Sequence, residues 1–329
     1  MRRLVKTGIP VLLASLILFF MGTKPLRQAH SKTNSGSYAI AKLPTPVWNT
    51  PTVPFLGVGK SGKYLAFNDP GYINELEFIA LPQTVFEVKD VLALKDSLVY
   101  QVTTDDYQYH TRRGYFIDGR FVENEYEKPQ ERPRILLPQK TIMENLVATR
   151  GSIYTWGGNY HDGIPQIFSF YQPPSGLTDN PGLKNRWTLK GVDCSGLLYE
   201  ATNGYTPRNT VALLDFGISL PAAGLNINQI VQKVKPLDII VWPGHVIVVL
   251  DQNQVIESRP YYQIGRIKHP GGVKIRQIKE VLSEISRSRV PVNSYTDFGT
   301  LGKGKFVIRR WYGQRLSGNI RTGHLRYRL

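Results

Sequence analysis

The sequence predicts an α+β chain in two folded parts: a small all-β barrel, then a larger unit that mixes helices with strands. Three observations carry this. From Phe55 to Glu123, short runs rich in β-branched and aromatic residues alternate with turn signals. Residues 124–140 hold Pro129, Pro133 and Pro138 among many charges, the composition of a connection. Beyond them, helical spacing and a buried strand run, Val246-Ile247-Val248-Val249-Leu250, share one stretch. With 329 residues and 41% hydrophobic side chains, the chain has material for packed cores.

At the N-terminus, Arg2, Arg3 and Lys6 precede an apolar run from Ile9 to Met21, the layout of a signal sequence. A bilayer core takes about 20 apolar residues, so the run fits a cleaved peptide better than a retained anchor. Ala29-His30-Ser31 offers small residues for cleavage. Residues 1–31 are therefore expected to be a signal peptide or N-terminal anchor, and the chain to be exported to the periplasm or cell envelope. Residues 32–54, rich in Ser, Thr and Pro, are expected to be a linker, with folded structure starting near Pro46. Strands are expected over Glu77–Leu81, Thr84–Val88, Ser97–Thr103 and Arg113–Val122, with turns at Thr104-Asp105-Asp106 and Asp118-Gly119. This part holds no metal or nucleophile pattern and reads as a binding or spacer module.

In the second part, Thr141–Arg150 has helical spacing, with Ile142, Leu146 and Val147 on one side and Gly151 as a cap. Tyr154-Thr155-Trp156-Gly157-Gly158 reads as an aromatic over a tight turn. Asp193 is a good N-cap, and about ten breaker-free residues lead to the stop Asn203-Gly204, so Cys194 is expected in a first helical turn. Unpaired N–H groups and the dipole there favour a thiolate, which lowers the expected thiol pKa. Cys194 is the only cysteine, so it has no intrachain disulfide partner. It is either a working nucleophile or a small hydrophobe beneath the helix.

A thiolate nucleophile needs a histidine nearby to hold it ionised and to protonate the leaving amine. His245 follows the turn Pro243-Gly244 and opens the apolar strand, which places it at the strand's mouth. Of the others, His30 falls in the signal region, while His110, His161, His269 and His324 read as solvated surface residues.

Tyr154-x-Trp156-Gly157-Gly158, Asp193-Cys194-Ser195-Gly196, Thr206-Pro207-Arg208, Lys235-Pro236-Leu237-Asp238 and His245-Val246 follow one another in an order that resembles NlpC/P60 peptidases, over residues 141–312. Gly114 to Phe121 resembles the closing strand of a bacterial SH3-like domain, the family's usual N-terminal companion. The resemblance implies a papain-like catalytic domain at 141–313 with an insertion at 159–190, an SH3-like β domain within 32–140, and a basic tail at 314–329. It implies a cysteine helix packed on an antiparallel sheet that bears the histidine, cleavage of peptidoglycan stem peptides, and no metal or cofactor. Carried over by position, Cys194 is the nucleophile and His245 the general base and acid. Tyr154 lies near the oxyanion together with the Cys194 N–H, and Trp156 falls on the substrate-binding side. Asp193 and Ser195 match positions that hold the free amine of a stem peptide cut between D-glutamate and the diamino acid, although Asp193 fits the helix cap equally well.

The third polar residue falls at Glu257, where the family more often has His, Asn or Gln; a carboxylate also orients an imidazolium well. A two-residue turn at Gln252-Asn253 would put Glu257 on the sheet face opposite His245, so a three-residue loop or a bulge is required, with Asn253 suited to a left-handed conformation. Phe168, Phe170, Tyr171 and Trp187 make the insertion an expected ordered lid. Leu237 stands where a glycine is expected before Asp238.

The leading expectation is a γ-D-glutamyl-diamino-acid endopeptidase. A CHAP-like amidase is second, favoured by Gly244-His245-Val246-Ile247-Val248-Val249 and a triad glutamate, and a non-catalytic wall-binding protein is third. The net charge of +16, with Lys303 to Leu329 strongly basic, either draws the tail to anionic wall polymer or lipid headgroups or leaves it solvated. Nucleic acid fits the charge but not an exported chain.

Overall fold

β1 (Tyr38–Ala41) and β2 (Thr45–Trp48) open the folded chain inside the stretch whose composition predicted a linker. In the computed structural model the described residues are 36–51, 72–94, 97–107, 109, 111–171, 179–264, 267–269 and 271–314. All lie in the compact unit Lys32–Leu329. The signal or anchor segment 1–31, the Pro173-Pro174 turn and residues 315–329 of the tail lie outside them. No helix among the described residues is long and apolar enough to cross a membrane.

β1 and β2 join β3 (Leu76–Ala80), β4 (Val85–Leu94), β5 (Ser97–Thr103), β6 (Tyr115–Asp118) and β7 (Val122–Glu125) in an antiparallel sheet of order β3-β2-β6-β5-β4-β1-β7. Among the described residues the edges β3 and β7 do not pair, so the expected barrel closure is not seen there, and the expected closing strand β6 lies inside the sheet between β2 and β5. The physical reason is at β3: its outer edge is taken by the Asn159 side chain, whose Oδ1 accepts from Ile79 N and whose Nδ2 donates to Ile79 O, both at 2.9 Å. One amide thus does what a neighbouring strand would do. The same geometry admits Pro46 opposite Ile79, because Ile79 spends its backbone groups on Asn159 rather than on β2.

The second part runs α1 (Gln139–Ala148), β8 (Asn159–Tyr160), α2 (Pro181–Trp187), β9 (Gly191–Val192), α3 (Cys194–Ala201), α4 (Thr210–Leu213), β10 (Ile218–Ser219), α5 (Ile227–Lys233), β11 (Ile239–Trp242), β12 (His245–Val249), β13 (Gln254–Arg259), β14 (Tyr262–Ile264), β15 (Ile267–His269), β16 (Gly272–Gln277), α6 (Ile278–Ser286), β17 (Arg289–Pro291) and β18 (Gly304–Arg310). Its main sheet has the order β10-β18-β11-β12-β13-β16, with β17 parallel to β18. Both faces are covered, which is why β12 reads as an unbroken apolar run. Val246, Val248 and Ile256 pack on Leu197, Leu198 and Ala201 of α3 and on Ile142 and Leu146 of α1. Ile247, Val249 and Val255 pack on α5 and on Ile278, Val281, Leu282 and Ile285 of α6. The chain is α+β as expected, with the cysteine helix against the histidine's sheet. Val147, expected on the buried side of α1, is instead 45% exposed.

The insertion is ordered where described, but it belongs to the other core. Ile164, Ile167, Tyr171, Trp187 and Leu189 join the N-terminal sheet's cluster. Arg120 pairs with Asp118 at 2.7 Å and donates to Phe170 O at 2.9 Å, and the Tyr171 hydroxyl donates to Asp118. The second part of the chain therefore completes the core of the first.

Candidate active site

α3 begins as the residues dictate: the Asp193 side chain accepts from Gly196 N at 2.7 Å, and Asn203 (φ 48°) and Gly204 (φ 72°) turn the helix off. A side chain at Gly196 would run into the Gly158 carbonyl oxygen, so the glycines of both motifs let α3 close on the Trp156-Gly157-Gly158 turn. Cys194 lies in the first turn and is buried, and its Sγ is 3.9 Å from Gly244 O. Burial, with the Asp193 carboxylate beside it, pushes the thiol up to about 12; the N–H groups of Val246 and Ser195 and the Arg208 charge pull the other way and lose. This corrects the expected lowered pKa. The helix start does direct donors at the sulfur, but desolvation of a buried thiolate is the larger effect.

His245 is 9% exposed and its ring lies 5.2 Å from that of Trp242, its cross-strand partner, tilted by 51°. Its Nε2 is 2.7 Å from Glu257 Oε2. The parity problem is solved by a three-residue loop: Leu250 N bonds Gln254 O at 2.9 Å, and Val249 pairs with Val255. Asp251 Oδ1 accepts from Asn253 N at 2.6 Å and Gln254 N at 2.8 Å, which closes the loop without a left-handed Asn253. His245 and Glu257 thereby share the α6 face of the sheet, with Ile247 and Val255. Cys194 belongs to the core on the α3 face and meets the strand end through its backbone, at Gly244 and Val246. The structure therefore joins His245 to Glu257, while among the described residues no hydrogen bond joins the Cys194 sulfur to the imidazole, and Nδ1 makes none.

Glu257, 1% exposed, is also held by Arg276 Nη1 at 2.9 Å and paired with Arg259 Nε at 3.6 Å. Both arginines reach on to Glu284 of α6 at 2.7 Å. Burial pushes the Glu257 carboxyl up, but the His245 bond and the two arginines outweigh it and hold it below the usual carboxylate range.

Residues without a predicted role complete the site. Arg208, 3% exposed, donates to Asp193 Oδ1 at 3.0 Å and Oδ2 at 2.8 Å, to Ser195 Oγ at 2.6 Å, to Gly158 O at 3.1 Å and to Asn159 Oδ1 at 3.3 Å. Asp193 is thus both helix cap and counter-ion. Arg208 stood in the motif Thr206-Pro207-Arg208, and the available signal was the need of a largely desolvated Asp193 for a cation. Tyr154 is buried, and its phenol is pushed up by burial and by Asp193 and Cys194 nearby; its ring meets Tyr72 edge-on at 5.3 Å. Trp156 is 47% exposed. A cavity of about 350 Å³ opens beside them, lined by Tyr72, Tyr154, Trp156, Asn185, Arg186 and Tyr261. The N-terminal part, read as a spacer, and α2 of the insertion thus both wall this cavity. His161 is not a free surface residue: its Nδ1 is 2.6 Å from Glu200 Oε1 on α3. Among the described residues no group of three or more His, Cys, Asp and Glu side chains is arranged to hold a metal ion.

No protein-family model matches the chain, and no curated protein does. Among solved structures, an NlpC/P60 family protein from Bacillus cereus ATCC 10987 is 12% identical, with a TM-score of 0.30 over 83% of this chain and 63% of that one. NlpC2 from Trichomonas vaginalis is 12% identical, with a TM-score of 0.25 over 83% of this chain and 72% of that one. The chain thus spans less than two thirds of the Bacillus protein's length, and TM-scores this low define no common fold.

Proposed function

We propose that this chain is an exported cysteine peptidase that cuts peptidoglycan stem peptides, with Cys194 as nucleophile and His245 as general base and acid. The observation that carries the reading is a buried Glu257, held below the usual carboxylate range and bound to Nε2 of a histidine whose own backbone neighbours, Gly244 and Val246, touch the sulfur of a helix-start cysteine. Glu257 accepts from Nε2–H, so the neutral ring keeps its lone pair on Nδ1. In the reaction Nδ1 takes the Sγ proton, sulfur bonds to the peptide carbonyl carbon, and Nδ1 returns the proton to the departing amine; water then releases the acyl group. The Cys194 N–H and Tyr154 face the developing oxyanion in this reading. Catalytic hydrogen bonds often close only around substrate, and this reading requires the Sγ to Nδ1 bond to form there.

The cavity walled by Tyr72, Tyr154 and Trp156 is assigned to the stem peptide, and Asp193, its charge offset by Arg208, acts on the Tyr154 phenol at the edge of that wall. The bond favoured by the motif order is that between D-glutamate and the diamino acid. Export, with anionic wall polymer or lipid headgroups as partners of the basic C-terminus, belongs to the same reading. Defined muropeptides incubated with wild type and Cys194→Ala, their products weighed by mass spectrometry, test it. Fragment masses name the bond, and release of whole stems from sugar would mark an amidase instead. If wild type cuts no stem, the enzymatic reading fails. A second reading, a wall-binding protein with an idle cysteine, is favoured by the thiol pushed up to about 12. Resistance of Cys194 to iodoacetamide at neutral pH, with retained binding to sacculi, would select it.

A further inference from the structure

We propose that Arg276, seconded by Arg259, is a positioning residue for His245: it holds Glu257 on Nε2 and offsets its charge, which disfavours the imidazolium and leaves Nδ1 available to the sulfur. The proposal rests on the peptidase reading for its meaning but not for its test.

Its basis is the geometry of the quartet. A carboxylate at 1% exposure is costly unless paired. Glu257 divides its oxygens, Oε2 to His245 at 2.7 Å and Oε1 to Arg276 at 2.9 Å, so Arg276 fixes the rotation that aims Oε2 at the ring. Arg276 and Arg259 are themselves fixed at their far ends by Glu284. Glu257, Glu284, Arg259 and Arg276 sum to zero charge. Protonating His245 therefore adds a charge to a neutral quartet instead of completing a pair with a lone buried carboxylate, which would favour the imidazolium.

The other charged and titratable groups around the ring agree with this. β16 adds Lys274, the register partner of Glu257, and β17 adds Arg289, whose guanidinium lies 4.6 Å over the Trp242 ring that packs at a tilt against His245. On the α3 side stand Cys194 and the Asp193–Arg208 pair. A cavity of about 230 Å³ borders Trp242, Glu257, Arg259, Arg276 and Glu284, room for solvent to meet the quartet.

Imidazole ¹H–¹⁵N correlation spectra of the full chain, with His245 assigned by loss of its signals in His245→Gln, measure the effect directly. In Arg276→Met the His245 midpoint should rise by about one pH unit, the size of a lost neighbouring cation, and Arg276→Lys should restore most of it. Wild type should show the Nε2–H tautomer when neutral, and Arg276→Met a mixture. A midpoint unchanged in folded Arg276→Met overturns the proposal. Should that variant fail to fold by circular dichroism, Arg276→Gln and Arg259→Gln make the same neutralisation with a donor retained, and an unchanged midpoint in both is equally fatal. Muropeptides left intact by wild type would sink the peptidase reading alone, since the titration reads the ring whether or not a peptide is cut.

Discussion

The two halves of the candidate site solve burial of charge in opposite ways. At the start of α3, Asp193 is saturated: Gly196 N, Ser195 Oγ and two Arg208 nitrogens take its oxygens. At the mouth of β12, Glu257 is more deeply buried, its side chain 1% exposed against 13% for Asp193, and it spends one oxygen on an imidazole that keeps a free nitrogen among the described residues. The first arrangement is a lock that sets where the sulfur sits; the second is a poised base. The difference teaches that the helix start alone does not activate Cys194. In the proposed mechanism activation comes across the strand end, from His245.

The hardest blow to the comparison is Cys194→Ala, which should cut turnover of muropeptides by at least about 10⁴-fold while leaving the thermal midpoint nearly unchanged. Appreciable residual cleavage would mean the sulfur is not the nucleophile. Glu257→Gln should lower kcat by about 10²–10⁴-fold with the fold retained, and unchanged kinetics would remove Glu257 from the site. The same variant has a pH signature. Because the folded carboxyl sits below its ordinary value of 4.5, it contributes stability above the unfolded pKa, and that contribution is lost as pH falls through the folded one. Urea titrations should therefore show wild type and Glu257→Gln converging as pH drops below 4.5. Arg208→Met probes the locked half: stranding Asp193 should cost about 3–5 kcal/mol in urea unfolding. A loss under about 1 kcal/mol would show Asp193 to be well solvated without its partner. Smallest, Asn159→Ala leaves the Ile79 N–H and carbonyl unpaired and should cost about 1–3 kcal/mol, with faster amide exchange along β3.

The halves also differed in how far they were legible. α3 was readable because its signals are local: a cap at Asp193, a stop at Asn203-Gly204 and no breaker between. Ser97–Thr103 was readable as a strand for the same reason. Parity alone called for a three-residue loop or a bulge; the loop is what forms, and Asp251 closes it. β1 and β2 escaped because Ser, Thr and Pro suit a linker as well as strands whose pairing lies elsewhere in the chain. α5 carried a readable capping box, Asn226 with Gln229, and α6 a helical stripe from Ile278 to Ile285, yet neither follows from the chemistry that drew attention to the cysteine. Arg276 was unreadable as a site residue because its partner is set by strand register, and Arg208 was readable only through its motif and the need of Asp193 for a cation. The thiol pKa was misjudged because burial depth is not a local property.

The insertion carries a last consequence. Since Tyr171, Trp187 and their neighbours fill the core of the N-terminal sheet, neither part of the chain holds a complete interior when severed from the other. Heating should then melt both parts together in a single calorimetric transition, and any fragment ending near the 124–140 connection should reach the cell's proteases before it reaches a stable form.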